Sequence, residues 1–327
     1  MENELLRVED LSVRFHLESG KVDAVNHLSF GVKKGSTFGI VGESGSGKTV
    51  TALTVMGLLP SPPGRVESGK VLFNGENLLA KSAKEMQDYR GKRISMIYQD
   101  PMTSLNPVLR VGFQIAETLI VHKGMMRQEA EKKAIELMTA TGISEAENRA
   151  KAFPHQLSGG MRQRVMIAMA LATHPDLLIA DEPTTALDVI TQAQIIELLK
   201  SLQKNLNMSV ILITHDLGII AEFCHETLVM YAGHGMEYGS VKNIFLEPQH
   251  PYTKALLNSI TRIDTDVEKL PSIPGEIPNL VNPPAGCRFH PRCPYAFEKC
   301  KIEPPPYPLE GGRFSKCWLS DSGKLGK

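Results

Sequence analysis

The 327-residue chain predicts an α/β fold. Its parts are a parallel-sheet nucleotide core, an antiparallel β subdomain ahead of it, an inserted α-helical subdomain, and an irregular cysteine-rich C-terminal extension. Three observations carry that prediction. The apolar run 37–41 reads as a short buried strand, ends in Gly42-Glu43-Ser44-Gly45-Ser46-Gly47-Lys48-Thr49, and is followed by a helix over 50–59. Further apolar runs at 93–98, 177–182 and 209–213 read as buried strands of the same core, with helical stretches between them. After about residue 240 prolines spread through the chain, and four of its five cysteines fall there.

The opening segment reads as antiparallel, with strands over 5–15 and 22–30 and a turn at Ser19-Gly20-Lys21. Phe15 either stacks on an adenine ring or packs in the core, and the sequence leaves both readings open. The octet that follows the third strand has the form G-x-x-x-x-G-K-[S/T], a P-loop in the strand–loop–helix context that the pattern needs. Gly42, Gly45 and Gly47 let the backbone curl so that amide N–H groups converge on phosphate oxygens. The positive end of the next helix adds to the same place. The stretch from Gly42 through Ser44 to Val50 is therefore the candidate nucleotide cradle. Lys48 supplies a point charge for the outer phosphates, and Thr49 a hydroxyl ligand for Mg²⁺.

Residues 59–64 close the first helix in a proline-rich loop, and 70–73 make another strand. The strand at 93–98 delivers Gln99, whose side chain suits a contact to magnesium or to an attacking water. Residues 112–140 read as mainly helical, interrupted near 122–124, and form a subdomain inserted between two parts of the core. Ser158 is placed to cap a helix over 161–172. Capping does not explain Gly159 and Gly160 beside it, whereas a second phosphate-binding surface would. Residues 177–182 run into Asp181 and Glu182. Asp181 is the candidate magnesium ligand, and Glu182 the candidate base for in-line attack of water on a terminal phosphorus. Asp188 ends the loop that follows. His215 stands at the end of the strand 209–213, able to donate to a terminal phosphate. A last strand covers 228–232, residues 233–239 turn the chain, and the tail is irregular apart from a helix around 252–260.

Composition removes several classes of function. The 36 basic and 36 acidic side chains give zero formal net charge and no support for nucleic-acid binding. No uninterrupted apolar run reaches the roughly 18 residues of a membrane span. Met1-Glu2-Asn3-Glu4 lacks the basic-then-apolar pattern of a signal peptide, so a cytosolic location is expected. A reducing compartment argues for a metal or cluster, and against two disulfides, at Cys287, Cys293, Cys300 and Cys317. Their intervals of 5, 6 and 16 residues match neither a paired zinc ribbon nor a bacterial ferredoxin run. By count, four thiolates suit zinc and a [4Fe–4S] cluster equally.

Taken together these residues resemble the ATP-binding subunit of an ABC transporter. Gly42 to Thr49 matches the Walker A loop and Gln99 the Q-loop glutamine. Leu157-Ser158-Gly159-Gly160 matches the signature, and the strand ending in Asp181-Glu182 matches Walker B with its catalytic glutamate. Ala186-Leu187-Asp188 matches the D-loop and His215 the switch histidine. The closer resemblance is to the bacterial peptide and nickel importer subgroup. It rests on Tyr98-Gln99-Asp100-Pro101-Met102-Thr103-Ser104-Leu105-Asn106-Pro107, on Pro248-Gln249-His250-Pro251-Tyr252, and on Gly286-Cys287-Arg288-Phe289-His290-Pro291-Arg292-Cys293-Pro294. Met161 stands where most families of the class have glutamine.

The resemblance implies a P-loop NTPase cassette over 1–240, with a helical ABC signature subdomain at about 105–172, and a peptide-transporter-type extension over 241–327. It implies ATP hydrolysis with Mg²⁺, powering import of dipeptides or oligopeptides. A nickel importer, or a soluble ABC-type regulatory or structural protein, are the alternatives. The implied partners are two membrane-spanning permease subunits, a second related ATPase chain in a head-to-tail pair, and indirectly an extracytoplasmic peptide-binding protein. The implied location is the cytoplasmic face of the membrane. In such a pair Ser158 and Gly160 touch the γ-phosphate held by the partner, which accounts for the glycines. The resemblance favours an iron–sulfur cluster at the four cysteines, with zinc, or free or disulfide-linked thiols, as the alternatives.

Overall fold

The computed structural model describes residues 3–100, 104–185, 187–259 and 273–321. Pro101, Met102 and Thr103 after the Q-loop glutamine, Ala186 of the D-loop, and Ile260 lie outside the described residues. The chain forms two units, one of residues 1–32, 37–79 and 214–327, the other of 33–36 and 80–213.

The first unit opens with β1 (Glu4–Leu17), β2 (Gly20–Lys33), β3 (Thr37–Val41), β4 (Gly64–Phe73) and β5 (Glu76–Asn77). One sheet has the order β2-β1-β4-β5, with β4 antiparallel to both β1 and β5. This is the expected antiparallel subdomain. β4 is longer than the expected 70–73 because its pairing with β1 extends back from Phe73 to Gly64. α1 spans Lys48–Val55 rather than 50–59. It starts early because Gly47 caps it, and stops early because Gly57 turns left-handed (φ 62°) just past its end.

The second unit contains α2 (Ala83–Met86), β6 (Ile94–Ile97), α3 (Val111–Lys123), α4 (Arg127–Ala140), α5 (Ala146–Arg149), α6 (Gly159–Leu171), β7 (Leu177–Asp181), α7 (Val189–Leu206) and β8 (Ser209–Thr214). β6, β7 and β8 run parallel. Every residue of β7 and β8 is buried, which explains their unbroken apolar runs. The helical subdomain is present, and its interruption falls at Gly124, left-handed at φ 65°.

From Thr214 the chain belongs to the first unit again, with α8 (Leu217–Phe223), β9 (Glu226–Tyr231), β10 (His234–Ser240), α9 (Val241–Leu246), α10 (Pro251–Asn258), β11 (Tyr307–Leu309) and β12 (Arg313–Ser315). Residues 233–239, expected as a turn, are mostly strand. The turn is only Ala232-Gly233, both at positive φ (48° and 86°), the two-residue hairpin that fits strand twist. Gly235 and Gly239 lie inside the strand because a Cβ on either would crowd Leu28, Leu228 or Arg313. The tail is also more ordered than expected. β12 pairs with β10 and β11 with β12, giving the first unit a run β11-β12-β10-β9-β3. β9 is parallel to β3 and antiparallel to β10.

Candidate functional site

The phosphate loop leaves β3 and curls into α1. A Cβ on Gly42 would stand 2.1 Å from the Met230 carbonyl oxygen, and one on Gly47 2.3 Å from that of Ala24. No side chain fits either place. Gly45 has open space around it, but its φ of 75° is one that other residues rarely adopt. Ser44, Gly45 and Thr49 are exposed and Val50 is half-buried. The buried Lys48 ammonium donates to the carbonyl oxygens of Gly42 (2.8 Å) and Glu43 (3.0 Å) and to Ser46 Oγ (3.4 Å). The Gly233 N–H donates to the Ser46 carbonyl at 3.0 Å, tying the β9–β10 hairpin to the loop. Phe15 is half-buried on β1 opposite Gly64. His215 is exposed just beyond β8.

The second unit brings Gln99 and Glu182 together. Asp181 ends β7 with only 2% of its surface exposed. Glu182 follows at φ 46°, a left-handed backbone that a non-glycine residue adopts at a cost of about 1–2 kcal/mol. Its N–H donates to the Ile213 carbonyl at 2.8 Å. Its Oε2 accepts from Thr185 Oγ1 at 2.8 Å and from Gln99 Nε2 at 3.2 Å. The sequence pointed to the carboxylate but carried no sign of the reversed backbone.

Ser158 caps α6, its Oγ accepting from the Met161 N–H at 3.3 Å. A Cβ on Gly160 would lie 2.7 Å from Thr191 Cγ2, whereas Gly159 would meet only Leu187 at 3.6 Å. Gly160 thus has a reason within its own chain to lack a side chain, one that sequence reasoning missed. Asp188 caps α7. Its carboxylate accepts from the Thr191 N–H (2.9 Å) and from Thr191 Oγ1 (2.7 Å), and these bonds hold it below the usual aspartate range.

All four tail cysteines, with His250 and Phe289, line one pocket. They are free thiols, Cys300 and Cys317 buried, Cys287 and Cys293 half-buried. Burial, reinforced by the neighbouring thiolates, pushes Cys287 up to about 12 and Cys317 to about 11, and raises Cys293. Among the described residues no three His, Cys, Asp or Glu side chains are gathered closely enough to hold a metal ion as they stand. Zinc needs all its thiolate sulfurs at about 2.3 Å from one point. Cys224 is buried apart from this group, its thiol raised by burial.

Sequence reasoning also missed Glu43 as a structural partner. Its carboxylate takes a two-pronged ion pair from Arg292, 249 residues away, at 2.8 and 3.2 Å. Nothing local signals such a pair.

A phosphate loop between β3 and α1, with an acidic strand end and a capped helical signature, defines a phosphate-loop ATPase cassette. The family described as "ABC transporter" matches residues 25–185, and the one described as "Oligopeptide/dipeptide transporter, C-terminal region" matches 236–300. The chain is 51% identical over 316 residues to the oligopeptide transport ATP-binding protein OppD of Salmonella typhimurium, covering 97% of this chain and 94% of that protein. It is 51% identical over 323 residues to the dipeptide transport ATP-binding protein DppD of Escherichia coli, covering 98% of each. Among solved structures, a dimeric post-hydrolysis state of an ATP-binding cassette bound to ADP and Pi aligns with a TM-score of 0.65 and 28% identity, covering 72% of this chain and 98% of that one. The chain belongs to the ABC transporter family. The expected α/β cassette fold and ATPase class are both borne out. Among the described residues no helix is long and apolar enough to cross a membrane.

Proposed function

We propose that this chain is the ATP-hydrolysing subunit of a membrane transporter that imports dipeptides or oligopeptides. The observation that carries this is 51% identity, sustained over 97–98% of the chain, to proteins named for oligopeptide and dipeptide transport. The match of residues 236–300 to the transporter C-terminal region supports the same cargo class over nickel. Residues 1–240 form the cassette, with its helical subdomain at about 105–172, and 241–327 the extension.

In this reading Phe15 meets the adenine, and Gly42, Ser44, Gly45, Gly47, Lys48, Thr49 and Val50 hold the phosphates. Thr49, Gln99 and Asp181 offer hydroxyl, amide and carboxylate oxygens, the hard donors that suit Mg²⁺. Mg²⁺, when bound, neutralises charge on the outer phosphate oxygens. Glu182 accepts a proton from the water that attacks the γ-phosphorus, the bond to the ADP oxygen breaks, and phosphate leaves. His215 donates to the γ-phosphate. Ser158, Gly159, Gly160 and Asp188 face the nucleotide of a second ATPase chain. The dimeric state of the solved relative supports such pairing. The pair would sit on two permease subunits at the cytoplasmic face, served by an extracytoplasmic peptide-binding protein.

The four cysteines are proposed to hold a structural [4Fe–4S] cluster, with Zn²⁺ as the alternative. What supports the reading is four thiols lining one pocket; they would have to draw together around the bound centre. Iron, sulfide and zinc analysis of anaerobically purified protein separates the two, and metal-free folded protein would reject both.

The function is tested by purifying the chain from its native membrane. Two membrane-spanning chains and a second ATPase should accompany it, and peptide-loaded binding protein should stimulate ATP turnover. Stimulation by nickel instead replaces the cargo assignment. A chain that purifies alone, without membrane partners, supports a soluble regulatory role.

A further inference from the structure

The extension reaches the phosphate loop through residues that the hydrolysis mechanism does not use. Arg292 ends the short turn His290–Arg292, between Cys287 and Cys293. That turn is fixed from within, the Arg292 N–H donating to the Phe289 carbonyl (3.0 Å) and the Cys293 N–H to that of His290 (3.2 Å). The guanidinium has five N–H donors, and every one is used. Nε donates to the Pro274 carbonyl (3.0 Å), Nη1 to Glu43 Oε2 (2.8 Å) and Tyr231 Oη (3.1 Å), and Nη2 to Glu43 Oε1 (3.2 Å) and the Ile273 carbonyl (3.2 Å). The side chain is only 5% exposed, and that of Glu43 23%. A planar, saturated fork of this kind cannot be reproduced by lysine.

Glu43 is gripped at three points. Its carboxylate meets Arg292, its N–H donates to Tyr252 Oη at 3.1 Å, and its carbonyl accepts from Lys48 Nζ at 3.0 Å. Wherever Glu43 moves, an acceptor that sets the Lys48 ammonium moves with it. Tyr231 meets Phe289 edge-on and Tyr252 packs tilted against it, with ring centroids 5.3 and 5.2 Å away. A second arginine of the same turn region, Arg288, donates to the carbonyls of Ala232 and Asp23. Ala232 precedes Gly233, whose N–H holds the Ser46 carbonyl.

We infer that Arg292 is a positioning residue for ATP binding. Through Glu43 it holds the phosphate loop and Lys48 in the nucleotide-competent arrangement, and so couples the cysteine extension to the nucleotide. The inference rests on the reading of Gly42 to Thr49 as the ATP site. A pair that merely stabilised the extension would leave nucleotide affinity alone. A positioning pair changes the fraction of chains whose loop is competent, and affinity falls in proportion to that fraction. Linkage then requires the reverse effect, so that nucleotide must tighten the turn 288–293.

The test titrates the full chain with Mg²⁺ and a non-hydrolysable ATP analogue, and follows amide hydrogen exchange across 288–293. Arg292→Met and Glu43→Gln should each weaken binding about tenfold, with Arg292→Lys recovering only part. Arg313→Met removes a buried ion pair that the extension makes to Glu237 of β10 and should leave affinity unchanged. In the unsubstituted chain the analogue should slow exchange at 288–293, and in Arg292→Met it should not. If Arg292→Met does not fold, Glu43→Gln, which keeps the shape and loses the charge, decides. Affinities within twofold of the unsubstituted chain, or protection that persists in Arg292→Met, overturn the coupling. An unsubstituted chain that binds no analogue overturns the ATP-site reading as well.

Discussion

Replacing Glu182 with Gln should stop hydrolysis and leave nucleotide binding intact. Two hydrogen bonds to the carboxylate converge on one oxygen, from Thr185 at 2.8 Å and Gln99 at 3.2 Å. The amide oxygen of glutamine can occupy that position and accept both. The bonds become neutral rather than charge-assisted, a change of about 1 kcal/mol or less in stability. The left-handed backbone at 182 is no harder for glutamine than for glutamate. What is lost is the basic oxygen that takes the proton from water. Removing a general base slows turnover about 10²–10⁴-fold, or roughly 3–5 kcal/mol in the barrier. The assay is single-turnover phosphate release by the assembled transporter, beside equilibrium binding of ATP. Turnover within tenfold of the unsubstituted protein would refute the assignment of the base. A parallel loss of ATP affinity would refute the argument that the substitution is silent in the ground state.

Two further predictions concern the first unit. Gly47→Ala puts a Cβ 2.3 Å from the Ala24 carbonyl oxygen at a φ of 98°. It should lower unfolding stability by at least about 2 kcal/mol and abolish ATP binding, both measurable by thermal melts with and without nucleotide. Acid should also destabilise this unit. Burial pushes His250 down to about 3 and His234 to about 4, each from an ordinary 6.5. Above pH 6.5 both are neutral folded and unfolded, and neither affects stability. As pH falls below 6.5 the unfolded chain takes up protons that the folded chain refuses, so stability drops until the folded values are reached. At pH 5 the loss is about 2 kcal/mol per histidine. Chemical denaturation across pH 5–7 measures it, and His250→Asn, itself a good helix cap, should flatten the slope. An unchanged slope would sink the assignment of His250.

The parts of the fold that were legible are those whose cause is local. β3, β7 and β8 are buried throughout, so their composition alone marks them. Gly124 breaks the helical subdomain where its lack of a side chain permits a left-handed turn. Errors arose where a glycine's role depends on a distant neighbour. Gly235 and Gly239 read as turn residues, yet they sit in a strand, short of space beside Leu28 and Arg313. Gly160 read as a phosphate contact alone, and Thr191 supplies a second reason. The left-handed Glu182 leaves no trace in residue type. The Glu43–Arg292 pair joins positions 249 residues apart, and no periodicity or spacing encodes it.

That long-range pair makes the cysteine pocket and the phosphate loop answerable to one another. If Cys287 and Cys293 lose what holds them, the turn between them loosens, and Arg292 is the residue through which the loop would register it. Stripping any bound metal with a chelator under reducing conditions should therefore weaken ATP-analogue binding in the unsubstituted chain. The same treatment should have little further effect in Arg292→Met, because one link cannot be cut twice and perturbations along it are not additive. Binding titrations on the four samples, each chain before and after stripping, close the cycle. Equal losses in both chains would mean that the pocket supports the loop by some route other than Arg292. No loss in the unsubstituted chain would mean that the turn keeps its shape without a bound centre. Its own backbone hydrogen bonds, the Arg292 and Arg288 side chains and the packing of Phe289 against Tyr231 and Tyr252 would then suffice to hold it.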